Sequence, residues 1–157
     1  MKRRSFLKNA GVALGAGTAL AAPSIVRAQS PAVSWRMALS WPKSLDALYG
    51  GMEFLAKRVA DATGGKFNIK IFAAGEIVGG LQVLDAVSNG TVECGHTANY
   101  YYFGKDPTFA FGTAVPFGLN ARQQQAWMYY GGGLQLMREL YAEHNVILFP
   151  DGNTGAQ

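Results

Sequence analysis

The sequence predicts an α/β domain in which helices flank a mostly parallel sheet. Between residues 34 and 97, short apolar strands alternate with helical segments in the order strand, helix, strand, helix, strand. Glycine-containing turn signals at 63–65 and 89–90 follow the two helical segments. Alternation of this kind favours parallel strands, and right-handed crossovers place the intervening helices against the sheet.

The first strand and helix are predicted from residues 34–63. Side chains alternate over 34–39, with Trp35, Met37 and Leu39 on one face of a strand. Ser44 is expected to cap the following helix. The apolar face of that helix repeats at helical spacing: Leu48, Met52, Leu55 and Val59.

Three further elements complete the alternation. Residues 67–71 alternate as a second strand. Leu81, Leu84 and Val87 mark a second helix, and residues 92–97 read as a third strand.

An aromatic tract at residues 100–118 follows the third strand. Seven of its 19 residues are aromatic, while Pro107, Gly112 and Pro116 exclude one continuous helix. The tract therefore indicates an aromatic-lined loop region of the kind that walls a small-molecule cleft. Packing of the same aromatics into a core is the alternative.

Two helices and a strand are predicted after the tract. Asn120 and Gln123 have the spacing of a capping box at the start of a third helix. Its apolar side is assigned to Ala126, Trp127 and Tyr130. A fourth helix, 134–144, has the expected buried face Leu136, Met137, Leu140 and Tyr141. Residues 146–149 are all apolar and predict a buried strand.

The N-terminus has the pattern of a secretory signal. A basic head precedes an uncharged segment at 9–26, and the small-residue pattern at 26–28 predicts cleavage before Gln29. The predicted organisation is a signal peptide at 1–28 followed by a domain at 29–157. A retained transmembrane helix is the alternative, which the glycines and Pro23 disfavour.

The basic head also resembles the twin-arginine export motif. Arg3, Arg4, Phe6 and Leu7 match that motif, although Lys2 stands where Ser or Thr is more usual. This predicts export to a bacterial or archaeal periplasm.

Charge and cysteine content exclude several classes of function. Five of the 14 Lys and Arg residues lie within 1–28, which has no Asp or Glu, so residues 29–157 carry nine basic and ten acidic side chains. The resulting charge of −1 gives no support to a nucleic-acid partner. Cys94 is the only cysteine, so no intrachain disulfide forms. Cys94 and His96 share one strand face, and an exported hydrolase using this pair is an alternative function.

Nine short motifs occur in an order and spacing that resemble one protein family. They are Trp41-Pro42, 63–66 (Thr-Gly-Gly-Lys), 74–76 (Ala-Gly-Glu), 85–90 (Asp-Ala-Val-Ser-Asn-Gly), 100–102 (Tyr-Tyr-Tyr), 104–107 (Gly-Lys-Asp-Pro), 115–118 (Val-Pro-Phe-Gly), Ala126-Trp127 and 131–133 (Gly-Gly-Gly). The family is that of the periplasmic solute receptors of TRAP (tripartite ATP-independent periplasmic) transporters. The subgroup most similar binds 2-oxo and 2-hydroxy monocarboxylates such as pyruvate or lactate.

The resemblance implies a fold of the type II periplasmic-binding-protein kind. Its two lobes close on an organic acid and deliver the acid to a sodium-coupled membrane permease, without enzymatic chemistry or a covalent cofactor. Residues 29–157 are expected to be the N-terminal portion of this domain, with the second lobe largely absent. The resemblance also implies a homodimer of the full-length form.

The same resemblance implies a set of site residues. Tyr100 or Tyr101 maps to a cleft tyrosine after the third strand, and Asn153 and Gln157 map to a ligand-binding loop. Gln157 is also the implied ligand of a Na⁺ or Ca²⁺ ion, and a Gln carbonyl suits such hard cations. Trp41 is a further cleft candidate near the end of the first strand. A sensor that reuses the binding fold without transport is the remaining alternative.

Overall fold

Residues 32–152 are described by the computed structural model, and they contain a three-stranded parallel sheet flanked by helices. The strands are β1 (Val33–Leu39), β2 (Phe67–Phe72) and β3 (Cys94–His96), arranged in the order β2-β1-β3. Both pairings are parallel, which confirms the predicted fold class. The predicted signal peptide and export motif, as well as Asn153 and Gln157, lie outside the described residues.

Four α-helices and three 3₁₀ helices accompany the sheet in the described part of the chain. The α-helices are α1 (Asp46–Ala62), α2 (Val83–Ser88), α3 (Ala121–Tyr130) and α4 (Gly133–Ala142). The 3₁₀ helices are Gly80–Gln82, Asn99–Tyr102 and Pro107–Gly112. None of the helices within residues 32–152 is long and apolar enough to cross a membrane.

The central strand β1 is covered on both faces because its side chains alternate. Met37 and Leu39 pack with Met52 of α1 on one face. Ala38 points to the other face, where it packs with Val83 of α2 in a second cluster. The two crossover helices thus lie on opposite sides of the sheet.

A third apolar cluster joins the aromatic tract to α3 and α4. Tyr102 and Phe109 are 1% and 0% exposed and pack against Met128, Met137 and Tyr141. The Phe109 ring lies 5.2 Å from the Tyr141 ring in an edge-to-face contact. Part of the tract is therefore core, whereas Tyr100 and Tyr101 are only half-buried.

Two of the predicted helix ends are confirmed in detail. The Gln123 amide N–H donates to Asn120 Oδ1, and the Asn120 amide N–H donates to Gln123 Oε1, both at 3.0 Å. These are the two hydrogen bonds of a capping box. At the end of α1, Gly65 adopts a positive φ of 77° and its N–H donates to the Ala60 carbonyl. That left-handed conformation suits glycine.

The predicted cap of α1 is wrong. Leu45 precedes the helix, and no side chain caps it. The chain turns between Pro42 and Leu45, where the Leu45 N–H donates to the Pro42 carbonyl at 3.2 Å. Ser44 lies within this turn, one residue too early to reach the first helical amides.

The predicted buried faces of the shorter helices are partly wrong. Tyr130 and Leu136 are 92% and 58% exposed, and Leu81 is also exposed. Ala126 is exposed as well. These helices contribute narrow stripes to the core, centred on Met128 in α3 and on Met137 and Tyr141 in α4.

The strand predicted at 146–149 does not form within the described structure. The segment has no regular secondary structure and carries no strand pairing, and Ile147 and Phe149 are exposed. Arg138 holds it instead: its Nε donates to the Leu148 carbonyl at 3.0 Å, and its guanidinium lies 5.0 Å from the centre of the Phe149 ring. An apolar run becomes a strand only where a neighbouring strand is present to pair with it.

Candidate functional site

The carboxyl ends of β1 and β3 meet at one edge of the sheet. Ser40 and Trp41 follow β1, and Thr97 and the 3₁₀ helix Asn99–Tyr102 follow β3. Ligands of open α/β sheets bind beyond this edge. The residues that follow β1 and β3 therefore define the candidate site.

Three aromatic side chains of the candidate site contact one another in series. The Trp41 and Tyr101 ring centres are 6.0 Å apart with the planes at 55°. The Tyr101 and Tyr100 rings are 5.0 Å apart at 85°. These separations and tilts are favourable for aromatic pairs. The series runs from buried Trp41, which is 6% exposed, to half-buried Tyr100.

The two tyrosines lie in the 3₁₀ helix that follows β3. The Tyr100 amide N–H donates to Thr113 Oγ1 at 3.3 Å, which fixes the backbone of the 3₁₀ helix. Burial, together with the neighbouring Tyr100, raises the pKa of Tyr101 above its usual value. The Tyr101 hydroxyl therefore stays protonated at neutral pH and can donate to an anionic ligand.

A network of hydrogen-bonded hydroxyl groups joins residues that are adjacent in sequence to the aromatic series. Tyr102 Oη lies 2.8 Å from Thr97 Oγ1 and accepts a hydrogen bond from the Leu84 amide N–H at 3.0 Å. The Ser40 and Thr97 hydroxyl oxygens are 2.6 Å apart, and Ser40 Oγ also donates to the Gly80 carbonyl. This network ties the end of β1, the end of β3 and the start of α2 together.

His96 is a central part of the edge that the sequence reasoning did not assign to the binding site. Trp41 Nε1–H donates to His96 Nδ1 at 2.9 Å, and His96 Nε2 lies 3.0 Å from Asp151 Oδ2. Burial lowers the pKa of His96, although Asp151 opposes that shift. The sequence signal that could have found His96 was its position near the end of the predicted third strand, because ligands of open α/β sheets bind beyond the carboxyl ends of the strands.

The alternative of a Cys94–His96 catalytic pair receives no support from these contacts. Both nitrogens of His96 are occupied by Trp41 and Asp151. Cys94 Sγ lies 3.7 Å from the Arg36 carbonyl instead, and burial raises the pKa of the thiol to about 11. A thiol in that state is a poor nucleophile.

The structure thus brings together three of the predicted site residues, Trp41, Tyr100 and Tyr101. Their contact with a ligand stays a prediction. Within residues 32–152, no group of three or more His, Cys, Asp or Glu side chains could hold a metal ion.

The chain matches a known protein family over most of its length. Residues 37–156 match the model of the bacterial extracellular solute-binding proteins, family 7. The chain belongs to this family. Membership confirms the resemblance seen in the nine motifs. By the family's description, its members are extracellular solute-binding proteins.

A curated relative resembles this family 7 chain closely. It is the monocarboxylate 2-oxoacid-binding periplasmic protein of a Nostoc species, 64% identical over 116 residues. The match covers 74% of this chain and 32% of the relative.

Solved structures of TRAP solute-binding proteins share the fold of the family 7 chain. One from Bordetella bronchiseptica, described with calcium and picolinate in its active site, is 53% identical with a TM-score of 0.77. One from Pseudoalteromonas atlantica, with bound sodium and pyruvate, is 39% identical with a TM-score of 0.76. One from Colwellia psychrerythraea, with calcium and pyruvate, is 36% identical with a TM-score of 0.77.

The family 7 chain spans only part of these proteins. Each of the three structural matches covers 80% of this chain but 38% of the solved chain. The match thus confirms the parallel α/β fold over about two fifths of each solved protein.

Proposed function

We propose that this chain is part of an extracytoplasmic solute receptor that captures a small organic acid and delivers it to a TRAP-type sodium-coupled permease. The proposed ligand is a 2-oxo or 2-hydroxy monocarboxylate such as pyruvate or lactate. The name of the Nostoc relative and the pyruvate bound by two of the solved proteins support this ligand class.

The observation that carries the proposal is the aromatic series at the carboxyl edge of the sheet. Tyr100 and Tyr101 each offer a hydroxyl donor beside an apolar ring. A carboxylate needs such donors, and a short carbon chain packs against the rings. In this proposal Trp41 contributes mainly packing beneath the tyrosines, because it is almost fully buried.

A cation is the second part of the proposed ligand site. The related proteins hold calcium or sodium together with their small acid. Gln157 is the proposed ligand from this chain, since its carbonyl oxygen suits a hard cation without adding charge. Asn153 is proposed to contact the acid from the same loop. When bound, the cation would neutralise charge on the carboxylate.

Export is proposed to use the N-terminal segment. Residues 1–28 would be a cleaved signal, with Arg3, Arg4, Phe6 and Leu7 directing the protein to the periplasm through the twin-arginine pathway. Replacing Arg3 and Arg4 by lysine should leave the protein unprocessed in the cytoplasm. Processing that continues unchanged would exclude this route.

The proposed assembly is a homodimer. A homodimer of the full-length protein is suggested by one solved relative, which was described as a dimer. Light scattering of the full-length gene product at micromolar concentration tests it, and a monomeric mass would rule it out.

Calorimetric titration tests the proposed ligand class. The full-length gene product is titrated with pyruvate, lactate and a larger 2-oxo acid, in Na⁺, in Ca²⁺ and after chelation. Tyr101→Phe should weaken binding about tenfold, because it removes one hydrogen bond to a charged group. Tyr129→Phe is the matched control, since Tyr129 is half exposed on α3 and is not part of the aromatic series of Trp41, Tyr101 and Tyr100.

The outcomes separate the receptor from its alternatives. Binding of a monocarboxylate that depends on Tyr101 and not on Tyr129 supports the proposal. Binding of none of the three acids would refute the ligand class. Replacement of Cys94 by Ser would abolish activity under the enzyme alternative, whereas it leaves ligand binding intact under the receptor proposal.

A further inference from the structure

The 3₁₀ helix Asn99–Tyr102 carries two proposed ligand tyrosines and also contributes two side chains to the core. Asn99 and Tyr102 are 7% and 1% exposed, whereas Tyr100 and Tyr101 are half-buried. Side chains three residues apart align along a 3₁₀ helix, so its first and fourth residues face inward together. The orientation of the two tyrosines between them therefore depends on what holds Asn99 and Tyr102.

Asn99 is the one buried side chain with an amide or a charge among residues 32–152. The hydroxyl of Tyr141 in α4, a residue that is 3% exposed, donates to Asn99 Oδ1 at 2.5 Å. Burial raises the pKa of Tyr141, so its hydroxyl keeps the proton that it donates. A buried amide oxygen without a partner would destabilise the fold, and the Tyr141 hydroxyl supplies that partner.

The Asn99 amide also fills the space beside Gly112. A Cβ built on Gly112 would lie 2.0 Å from Asn99 Nδ2, so the missing side chain makes room for the amide. The next residue along the chain, Thr113, accepts a hydrogen bond from the Tyr100 amide N–H through Oγ1 at 3.3 Å. The start of the 3₁₀ helix is thus in contact with the aromatic tract as well as with α4.

Asn99 and Tyr102 tie the 3₁₀ helix to different parts of the fold. Tyr102 Oη contacts Thr97, which follows β3, and the Leu84 amide of α2. Asn99 contacts Tyr141 of α4. Without the bond between Asn99 and Tyr141, the helix would keep its polar contacts with the sheet edge and α2 but lose the one with α4. A helix of four residues has few hydrogen bonds of its own to compensate.

We infer that Asn99 is a positioning residue: its hydrogen bond with Tyr141 ties the 3₁₀ helix to α4 and thereby sets the orientation of Tyr100 and Tyr101. This inference rests on the proposed function for its effect on ligand binding. Its effect on the 3₁₀ helix does not depend on which ligand is bound.

Tyr141→Phe is the variant that tests this contact most sharply. It removes the donor to Asn99 and keeps the ring, which packs edge-to-face 5.2 Å from the Phe109 ring. Tyr129→Phe makes the same chemical change at a half-exposed position and is the matched control. Val92→Ala is a second control, because it deletes buried methyl groups in the cluster on the α2 face of the sheet.

The first readout is amide hydrogen exchange over residues 99–103 of the full-length gene product without ligand. The Tyr101 N–H donates to the Ala98 carbonyl and the Phe103 N–H donates to the Tyr100 carbonyl, both at 3.1 Å. Tyr141→Phe should speed exchange in this peptide by several-fold, because the helix opens more often once α4 no longer holds it. Tyr129→Phe should leave it unchanged. Unchanged exchange in Tyr141→Phe would overturn the inference.

The second readout compares the pyruvate dissociation constant with the melting temperature, at a temperature where every variant is folded. Tyr141→Phe should weaken pyruvate binding by about three- to tenfold, the equivalent of one lost hydrogen bond. Val92→Ala should lower the melting temperature by several degrees and change the dissociation constant by less than about twofold.

The outcomes separate positioning from a structural role. If Tyr141→Phe lowers the melting temperature and leaves pyruvate affinity unchanged, as expected for Val92→Ala, the positioning role is overturned. A parent protein that binds no pyruvate would refute the proposed ligand, while the exchange data would still decide whether the bond between Asn99 and Tyr141 holds the 3₁₀ helix.

Discussion

Replacing Tyr102 by phenylalanine tests the hydroxyl network formed by Ser40, Thr97 and Tyr102. The change removes Oη from a side chain that is 1% exposed and leaves its ring in the core. The Leu84 amide, which donates to Oη at 3.0 Å, lies in the first turn of α2 and would lose its partner. Thr97 keeps its contact with Ser40.

The expected cost follows from that one stranded donor. A buried N–H left without a partner costs about 1–3 kcal/mol, so we expect the free energy of unfolding to fall by about 2 kcal/mol. With a urea m-value of about 2 kcal/mol/M, the midpoint would move down by about 1 M. Loss of a water-exposed hydroxyl would cost far less.

Urea unfolding followed by tryptophan fluorescence measures this shift. Tyr129→Phe is the control, and it should change the unfolding free energy by less than about 0.5 kcal/mol because Tyr129 is exposed. A Tyr102→Phe variant as stable as this control would refute the reasoning. It would mean that the Leu84 amide finds another partner once Oη is gone.

Three further changes test other contacts. The hydrogen bond from the Arg36 guanidinium lowers the pKa of Glu93 from 4.5 to about 2. The Arg36–Glu93 pair therefore stabilises the fold at pH values above the pKa of the unfolded state, and this stabilisation is lost as the pH falls towards 2. Glu93→Gln should thus narrow the difference in melting temperature between about pH 5 and about pH 2.5, and an unaltered difference would contradict this. Gly112→Ala places a Cβ 2.0 Å from Asn99 Nδ2, so it should lower the free energy of unfolding by about 1–3 kcal/mol. Gly104→Ala is the control, because a Cβ there meets no atom within 4 Å. Equal effects of the two changes in urea unfolding would disprove the steric clash at Gly112. Burial raises the pKa of the Cys94 thiol to about 11. Cys94 should therefore react with iodoacetamide at about pH 8 roughly a hundredfold more slowly than free cysteine. Labelling at the rate of free cysteine would contradict this prediction.

Local sequence signals accounted for most of the fold. Period-two alternation located β1 and β2, and the capping box at Asn120 and Gln123 fixed the start of α3. These features depend on residues a few positions apart, so one sequence is enough to predict them. Ser44 failed as a cap because the chain turns there, and its spacing from the helix start differs by one residue.

Features that depend on distant partners were not predictable in the same way. The apolar run at 146–149 forms no strand in the described structure, because strand formation requires a neighbour as well as composition. Tyr130 and Leu136 were placed on buried faces that the packing of α3 and α4 leaves exposed. In the candidate site, the tyrosine after the third strand was predicted from the sequence. The contact of His96 with Asp151 was not, because it joins residues far apart in sequence.

The order of the strands in the sheet has a consequence for folding during synthesis of the chain. The central strand β1 is the first of the three to be synthesised, and both of its neighbours come later in the chain. Until Phe67–Phe72 emerges, β1 has no partner, and its second side stays open until β3 follows. An unpaired strand with Trp35, Met37 and Leu39 on one face is prone to association with other chains. The nascent chain is therefore open to such association until residues 94–96 pair with β1.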